Sequence, residues 1–420
     1  MPHRKSETTC IVRILKLRLS SEKQRQCHAL REEAGRCWSY LVSAHVESRG
    51  DKWLTVNDMQ KMTKGKYALH SQSVQALAQK LEANIETARE LRVQEAAIGE
   101  VKTLYPHREK KYQTVVWKDQ AIRVIEGKIV LSNGKLSSGP LVLKLPSQYH
   151  DSNIRKAELT WRADHYELCI TIDTGNVNPP FLRQVKTAGI DMGEINIAAV
   201  VTDIGEGLIV SGRGLRSVKR LRNKRHAAYD KKLSLCQGDS RRAKRLRKRK
   251  AQASSKLYRQ QRDILHRASR QVVNFCEKHN VANIAIGDVR DISDGVDRGY
   301  KANQKISQWP HGQFVRYVTY KGRSLGISSK YQVEAYSTRT CSVCGHVHSS
   351  APRGRVFKCS GCGSIVHRDG NGGANICSAA RFGVYGKVQV EKITYLRPWC
   401  RSSPADTRKV ARDEREAQVL

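Results

Sequence analysis

Two close cysteine pairs, Cys341 with Cys344 and Cys359 with Cys362, lie in CSVCGHVHSSAPRGRVFKCSGCG, and a glycine directly follows the second cysteine of each. A Cys-x-x-Cys turn aims both of its sulfurs at one ion, so the two pairs can close a tetrahedral Zn²⁺ shell. Four sulfurs leave no open coordination position, so the zinc chemistry implied is structural. Each glycine lets the chain turn past the metal without a Cβ clash. His346, His348 and His367 stand close by and read as surface or phosphate-contact histidines rather than ligands. Cys10, Cys27, Cys37, Cys169, Cys236, Cys276, Cys377 and Cys400 are scattered, the pattern of reduced thiols and not of a disulfide framework.

A second set is acidic. GIDMG puts Asp191 at the end of an apolar run between two glycines, and HRDGNGGANI puts Asp369 at the start of a helix just after the cysteines. Carboxylates brought together from distant segments repel unless a cation sits between them. Mg²⁺ is the ordinary cation for all-oxygen sites that handle phosphate, and two such ions can activate water and stabilise a leaving oxygen. Taken singly, a turn would also explain Asp191 and a helix cap Asp369. NIAIGDVRD adds a question, because the strand ends in Gly287 followed by Asp288, where a strand entering a metal site is expected to deliver a carboxylate. Either the site is dead, Asp288 serves, or the carboxylate has moved.

Such side chains need elements to hold them. Residues 10–19 alternate as a strand, residues 21–98 carry helical spacing behind a Ser cap, and residues 112–173 break into short β-type runs with turn signals SNGK and RADH. A β-barrel-like unit with a helical insertion is the reading, its first strand joining the later ones. After the linker TGNVNPPFLRQ, the strands TAGIDM, INIAAVVTD and EGLIVSGR precede basic helices over 215–278, then ANIAIGD, a helix around GQFVRYVTYKGRSLG, KYQVEAY, the cysteines and a last helix near Asn371. That order is the order of an RNase H-like fold, whose mixed sheet gathers acids at one end.

Charge points to the partner. Lys and Arg number 76 against 39 Asp and Glu, a formal +37 on 420 residues that are 39% hydrophobic. The chain can bury a large core, and self-repulsion of that size implies a polyanion, with nucleic acid leading. The segments LRSVKRLRNKRHAAYDKK and SRRAKRLRKRKAQASSKLYRQQRDILHR supply about twenty cations against few acids, too many for one-to-one pairing on a helix. Arg220, Arg225, Arg242, Arg245 and Arg249 are the candidate phosphate contacts, as a group. No stretch approaches a membrane span and MPHRKSETTC lacks a signal-peptide apolar region, so a cytosol-like location is expected and no membrane partner.

GIDMGEINIAAV, RQQRDILHRASRQVV, QWPHGQFVRYVTYKGRSLGI, YSTRTCSVCGH and HRDGNGGANI, in this order over residues 182–385, together resemble TnpB, the transposon-encoded RNA-guided DNA endonuclease, and the compact type V CRISPR effectors. The resemblance implies a multidomain α+β protein. Its N-terminal β-barrel wedge would occupy 1–20 and 101–180, with a helical recognition domain inserted at 21–100. A RuvC-like, RNase H-like α/β nuclease domain would span 181–340 and 363–385, with a zinc ribbon at 341–362 and a C-terminal tail at 386–420, its last residues polar. It implies a bacterial-type cytoplasmic, DNA-associated hydrolase whose partners are guide RNA and double-stranded target DNA, as monomer or homodimer. Its cofactors would be structural Zn²⁺ on Cys341, Cys344, Cys359 and Cys362 and two catalytic Mg²⁺ ions, with Asp191 and Asp369 the first and last catalytic carboxylates.

Members of that family commonly carry glutamate where this chain has Gly287. By strand alternation Asp288 points to the other face, so Glu334 in KYQVEAYSTRT, on the next strand, is the better candidate for catalysis and magnesium binding. The Gly287 strand would lie between those of Asp191 and Glu334, about 10 Å apart across it, and a glycine there clears the way for a glutamate reaching inward. A glycine bulge and a solvated Glu334 are the plainer explanation. The competing functions are an RNA-guided DNA-binding protein without nuclease activity, such as a repressor, and a transposase or junction resolvase that uses the same sheet without RNA.

Overall fold

The computed structural model describes residues 8–134, 139–182, 186–290, 297, 299–350, 352 and 354–398, so Cys400 and the polar stretch 402–420 lie outside the described residues. The chain divides into two compact units, Met1–Val177 and Asn178–Leu420.

The first unit runs β1 (Thr8–Lys16), α1 (Ser21–Glu47), α2 (Val56–Thr63), α3 (Ser71–Ala97), then β2 (Val115–Lys118), β3 (Ile122–Ile125), β4 (Lys128–Leu131), β5 (Leu141–Lys144), β6 (Asn153–Arg162) and β7 (His165–Val177). Ser20 caps α1, its hydroxyl accepting from Lys23 N–H, and Thr55 and Asp58 form a reciprocal capping box on α2. Among the described residues the expected barrel takes the form of a four-stranded antiparallel sheet, in the order β1, β7, β6, β2, and a three-stranded one of β3, β4 and β5. β1 pairs along β7 from Thr8 to Lys16, which joins the chain's first strand to its later ones across the helices. Trp117, Leu41, Leu81, Leu131, Leu159 and Leu168 are buried in one core between sheet and helices, each such side chain stabilising the fold by about 1.5–3 kcal/mol.

The second unit runs β8 (Thr187–Asp191), β9 (Asn196–Thr202), β10 (Glu206–Ser211), α4 (Arg213–Ser234), α5 (Arg241–Lys278), β11 (Asn283–Gly287), α6 (Tyr300–Gln308), α7 (His311–Arg323), β12 (Ser328–Gln332), β13 (Val356–Lys358), β14 (Ile365–His367), α8 (Arg368–Phe382) and β15 (Lys392–Leu396). Its six-stranded sheet has the order β12, β11, β8, β9, β10, β15, with β8, β11 and β12 parallel and β9 antiparallel between β8 and β10. Alternation sorts the side chains. Ala188, Ile190, Ala198, Val200, Ile284 and Ile286 face the core built with α5 and α7, whereas Val201 packs against Ala374 and Cys377 of α8 on the other face.

Three elements differ from the sequence expectation. α8 starts at Arg368 rather than near Asn371, because His367 supplies the cap, its Nδ1 accepting from Gly370 N–H at 3.4 Å. β15 falls within the expected tail and pairs in parallel with β10; five residues with no fully buried side chain give too short an alternation to stand out. The extra helix α6 precedes α7. Among the described residues no helix is long and apolar enough to cross a membrane.

Candidate active site

β8, β11 and β12 are parallel, so Asp191, Gly287 and the residues after Gln332 all emerge at the carboxyl edge of the sheet, where open α/β sheets bind ligands. Asp191 follows Ile190 and Gly287 follows Ile286, so both lie on the face covered by α8. α8 reaches that face closely. A Cβ built on Gly189 would meet Gly373 O at 2.2 Å and Cys377 N at 2.3 Å, so helix and strand touch backbone to backbone only because no side chain intervenes. The residue before Gly373 in the same contact seats the acid, since a Cβ on Gly372 would fall 2.6 Å from Asp191 Oδ2.

Gly287 plays the matching part for Glu334. A Cβ added there would fall 2.3 Å from Glu334 Oε2 and 2.9 Å from Ile376 Cδ1 of α8. The carboxylate of Glu334 therefore lies over the bare strand. The sequence context implied that Glu334 lies on the strand, and it does not: it stands two residues past the end of β12 and opens a turn in which Ser337 N–H donates to Glu334 O at 3.0 Å. Asp288 is held by Arg290, whose guanidinium donates to both carboxylate oxygens at 2.6–3.2 Å and keeps the group below its ordinary range.

Asp369 occupies the first turn of α8. Its Oδ2 accepts from Asn196 Nδ2 at 2.7 Å and from Arg355 at 2.6 Å, and its Oδ1 from Arg368 Nε at 3.1 Å. The three carboxylates share one electrostatic neighbourhood. Desolvation first, then repulsion from Asp369 and Glu334, holds the Asp191 carboxyl well above the usual range against the pull of Arg368 and Arg355. Burial, with repulsion from Asp288, pushes Glu334 up to about 7. Groups displaced in this direction are the ones a cation would relieve.

The oxygens of Asp191, Glu334 and Asp369 are hard donors of the kind Mg²⁺ takes, and two of the three side chains fill space that glycines leave clear for them. Among the described residues only the four cysteines bring three or more candidate ligand atoms within 4.8 Å of one another, so the carboxylates span more than the grip of one ion. Two ions about 3.5–4 Å apart, each held by part of the set, are compatible with such a spread. Sequence reasoning missed Asn196, Arg355 and Gly372 as parts of this site; the double glycine in GNGGANI was the available signal for the close helix.

Seven residues before Asp369, the cysteines form a cluster that can hold a metal ion. Cys341 and Cys362 sulfurs stand 3.8 Å apart and those of Cys344 and Cys359 3.7 Å apart. A tetrahedron of thiolates at about 2.3 Å from zinc has edges of about 3.8 Å. Gly345 and Gly363 take φ +75° and +72°, the left-handed turn each knuckle needs. Gly361 N–H donates to Cys359 Sγ at 3.3 Å. Against desolvation by burial, the Ser364 hydroxyl and Val343 N–H, which donates to Cys341 Sγ at 3.4 Å, hold the Cys341 thiol below its ordinary range. His346 lies against Ser360 and His348, and His367 caps α8, so the sulfur cluster closes without them.

α4 and α5 pair as a helical hairpin rooted at this same edge: Gly212 N–H donates to Ile195 O at 2.6 Å and Arg216 pairs with Glu194 at 3.2 Å, three residues from Asp191. Arg220, Arg225, Arg242, Arg245 and Arg249 are all exposed, while the apolar contacts of α5 gather in its second half, from Leu257 to Cys276.

Two family models match in order. One, described as a probable transposase, covers residues 168–293, and the other, a Cas12f1-like TNB domain, covers residues 311–376. The fold is similar to that of Cas12f1 in a complex with sgRNA and target DNA, at 15% identity over 85% of this chain and 83% of that one, with a TM-score of 0.62. CasPhi-2 (Cas12j) bound to crRNA aligns over 91% of this chain and 99% of its own at 8% identity, with a TM-score of 0.47. No curated protein matches the sequence. The fold is thus a mixed α/β multidomain one like that of Cas12f1, and the matched segments make the chain TnpB-like, similar to the compact type V effectors.

Proposed function

We propose that this chain is an RNA-guided DNA endonuclease whose guide RNA pairs with one strand of a DNA target and whose RuvC-like site hydrolyses phosphodiester bonds. One observation carries the reading: Asp191, Glu334 and Asp369 interact at one edge of the sheet, two of them over glycines where any side chain would exclude them. Asp191, Glu334 and Asp369 would hold Mg²⁺, which when bound supplies activation of water and stabilisation of the leaving oxygen. Asn196 orients Asp369, and Arg355 and Arg368 offset the charge that three acids concentrate. The α4–α5 hairpin would track the phosphates of the guide–target duplex without reading bases.

In this reading the N-terminal unit comprises the wedge and recognition helices, residues 181–340 with 363–396 the nuclease domain, its sheet extended by β15, and 341–362 a Zn²⁺ ribbon. The test is cleavage of a DNA target matched to the RNA that copurifies with the protein, with and without Mg²⁺. Matched, Mg²⁺-dependent cutting supports the proposal. Guided binding without cutting would favour the RNA-guided binding protein instead, a reading supported by Gly287 and by the grip of Arg355 and Arg368 on Asp369.

A further inference from the structure

Resting on that endonuclease reading, we propose that Asn371 and Asn375 are positioning residues that set Glu334 in one frame with Asp191 and Asp369. Both are fully buried on α8, one turn apart, and their amides converge on the same two carbonyls. Asn371 Nδ2 donates to Thr340 O at 2.8 Å and Ser337 O at 3.4 Å; Asn375 Nδ2 donates to Thr340 O at 2.7 Å and Ser337 O at 2.8 Å. Asn371 Oδ1 accepts from Ser342 N–H at 2.8 Å and Asn375 Oδ1 from Gly386 N–H at 3.2 Å, so each side chain is used from both ends. A buried amide so fully engaged is costly to replace and fixes the segment it binds.

That segment is the turn Glu334 opens, and it runs directly into Cys341. Glu334 has left the regularity of β12, so no strand ladder places it. The asparagines hold the turn that follows it, while the Tyr385 hydroxyl donates to Ala335 O at 2.8 Å beside it. α8 then carries Asp369 itself, Gly372 beneath Asp191, Ile376 beneath Gly287 and the two amides that hold the Glu334 turn, so one helix bears on the placement of all three acids. A partner one step behind a metal ligand characteristically changes metal affinity or activity by about 10- to 100-fold when removed.

The experiment compares Asn371→Ala and Asn375→Ala with Ser269→Ala, a buried residue of α5 across the sheet from α8, whose hydroxyl donates to Leu265 O at 2.8 Å and accepts from Lys321 Nζ at 2.6 Å. Each purified ribonucleoprotein is measured for zinc per chain, Tm, hydrogen exchange of the amides between residues 334 and 342, Mg²⁺ affinity by calorimetry and Mg²⁺ dependence of cleavage. The asparagine variants should keep their zinc, exchange faster over 334–342 and bind Mg²⁺ about 10- to 100-fold more weakly, with cleavage demanding correspondingly more Mg²⁺. Ser269→Ala should lower Tm alone. Asparagine variants that lose zinc, or lower Tm as Ser269→Ala does with exchange and Mg²⁺ affinity unchanged, would overturn the proposal. If the unmodified protein cuts nothing, the endonuclease reading fails by itself, and exchange still decides the role of the asparagines.

Discussion

The cysteine cluster and the carboxylate site lie seven residues apart in sequence at their closest and are built by opposite means. Four sulfurs come from one stretch of 22 residues, and two short turns converge them with little help from the rest of the fold. Three carboxylates come from segments spanning Asp191 to Asp369 and meet only because a sheet, a close-packed helix and two glycines leave them room. Local spacing suffices for the first, whereas the second depends on what is missing at neighbouring positions.

The comparison breaks most visibly through the metal. Cys359→Ser should abolish zinc binding and unfold the ribbon, since the binding free energy of such a site is its folding energy, about 10 kcal/mol or more. Cleavage should go with it, because Asp369 and the Glu334 turn flank the ribbon; atomic absorption and circular dichroism read the loss. Gly287→Ala is the contrasting case. The atoms its Cβ meets are the free ends of Glu334 and Ile376, which can swing aside, so Tm should fall only as overpacking of about 1 kcal/mol requires. Cutting should fall far more steeply than stability, as Glu334 is the side chain displaced.

Legibility in the sequence follows the same division. The cysteine knuckles, the helical and strand segments of both units, and Asp191 and Asp369 as candidates could all be read from spacing and period. Gly287 was legible as an absence, and Glu334 as its replacement only by assuming the strand order that the sheet has. Asn196 and Arg355 gave no signal, because their bonds to Asp369 cross 173 and 14 residues. β15 was hidden by its shortness and half-exposed pattern.

A smaller effect concerns the hairpin rooted beside the acids. Replacing exposed Arg242, Arg245 and Arg249 with Gln should weaken nucleic-acid binding alike for all sequences and reduce the slope of log K against log salt by about 3 if each meets one phosphate. An unchanged slope would assign these arginines to solvent.

Smallest is the response to pH. Glu334 sits at about 7 against an ordinary 4.5, so between those values the folded chain holds a proton that the unfolded chain has released. Its contribution to stability is present below about pH 4.5 and lost as pH rises through about 7. Mg²⁺ must displace that proton, so the rise in Tm that Mg²⁺ gives should be larger at about pH 8 than at about pH 6. Glu334→Gln should flatten most of that difference, and a full pH response in Glu334→Gln would place the titrating group elsewhere.

The central claim is that the carboxylate missing from Gly287 is supplied by Glu334, and Mg²⁺-dependent cleavage of a matched DNA target tests it most directly. Glu334→Ala should abolish cutting as fully as Asp191→Ala while guided binding stays intact, since a lost metal ligand removes stabilisation of the transition state and leaves base pairing alone. Gly287→Glu in the Glu334→Ala background, where the crowding carboxylate is gone, should recover part of the activity. Full cutting by Glu334→Ala would contradict the account and turn attention to Asp288.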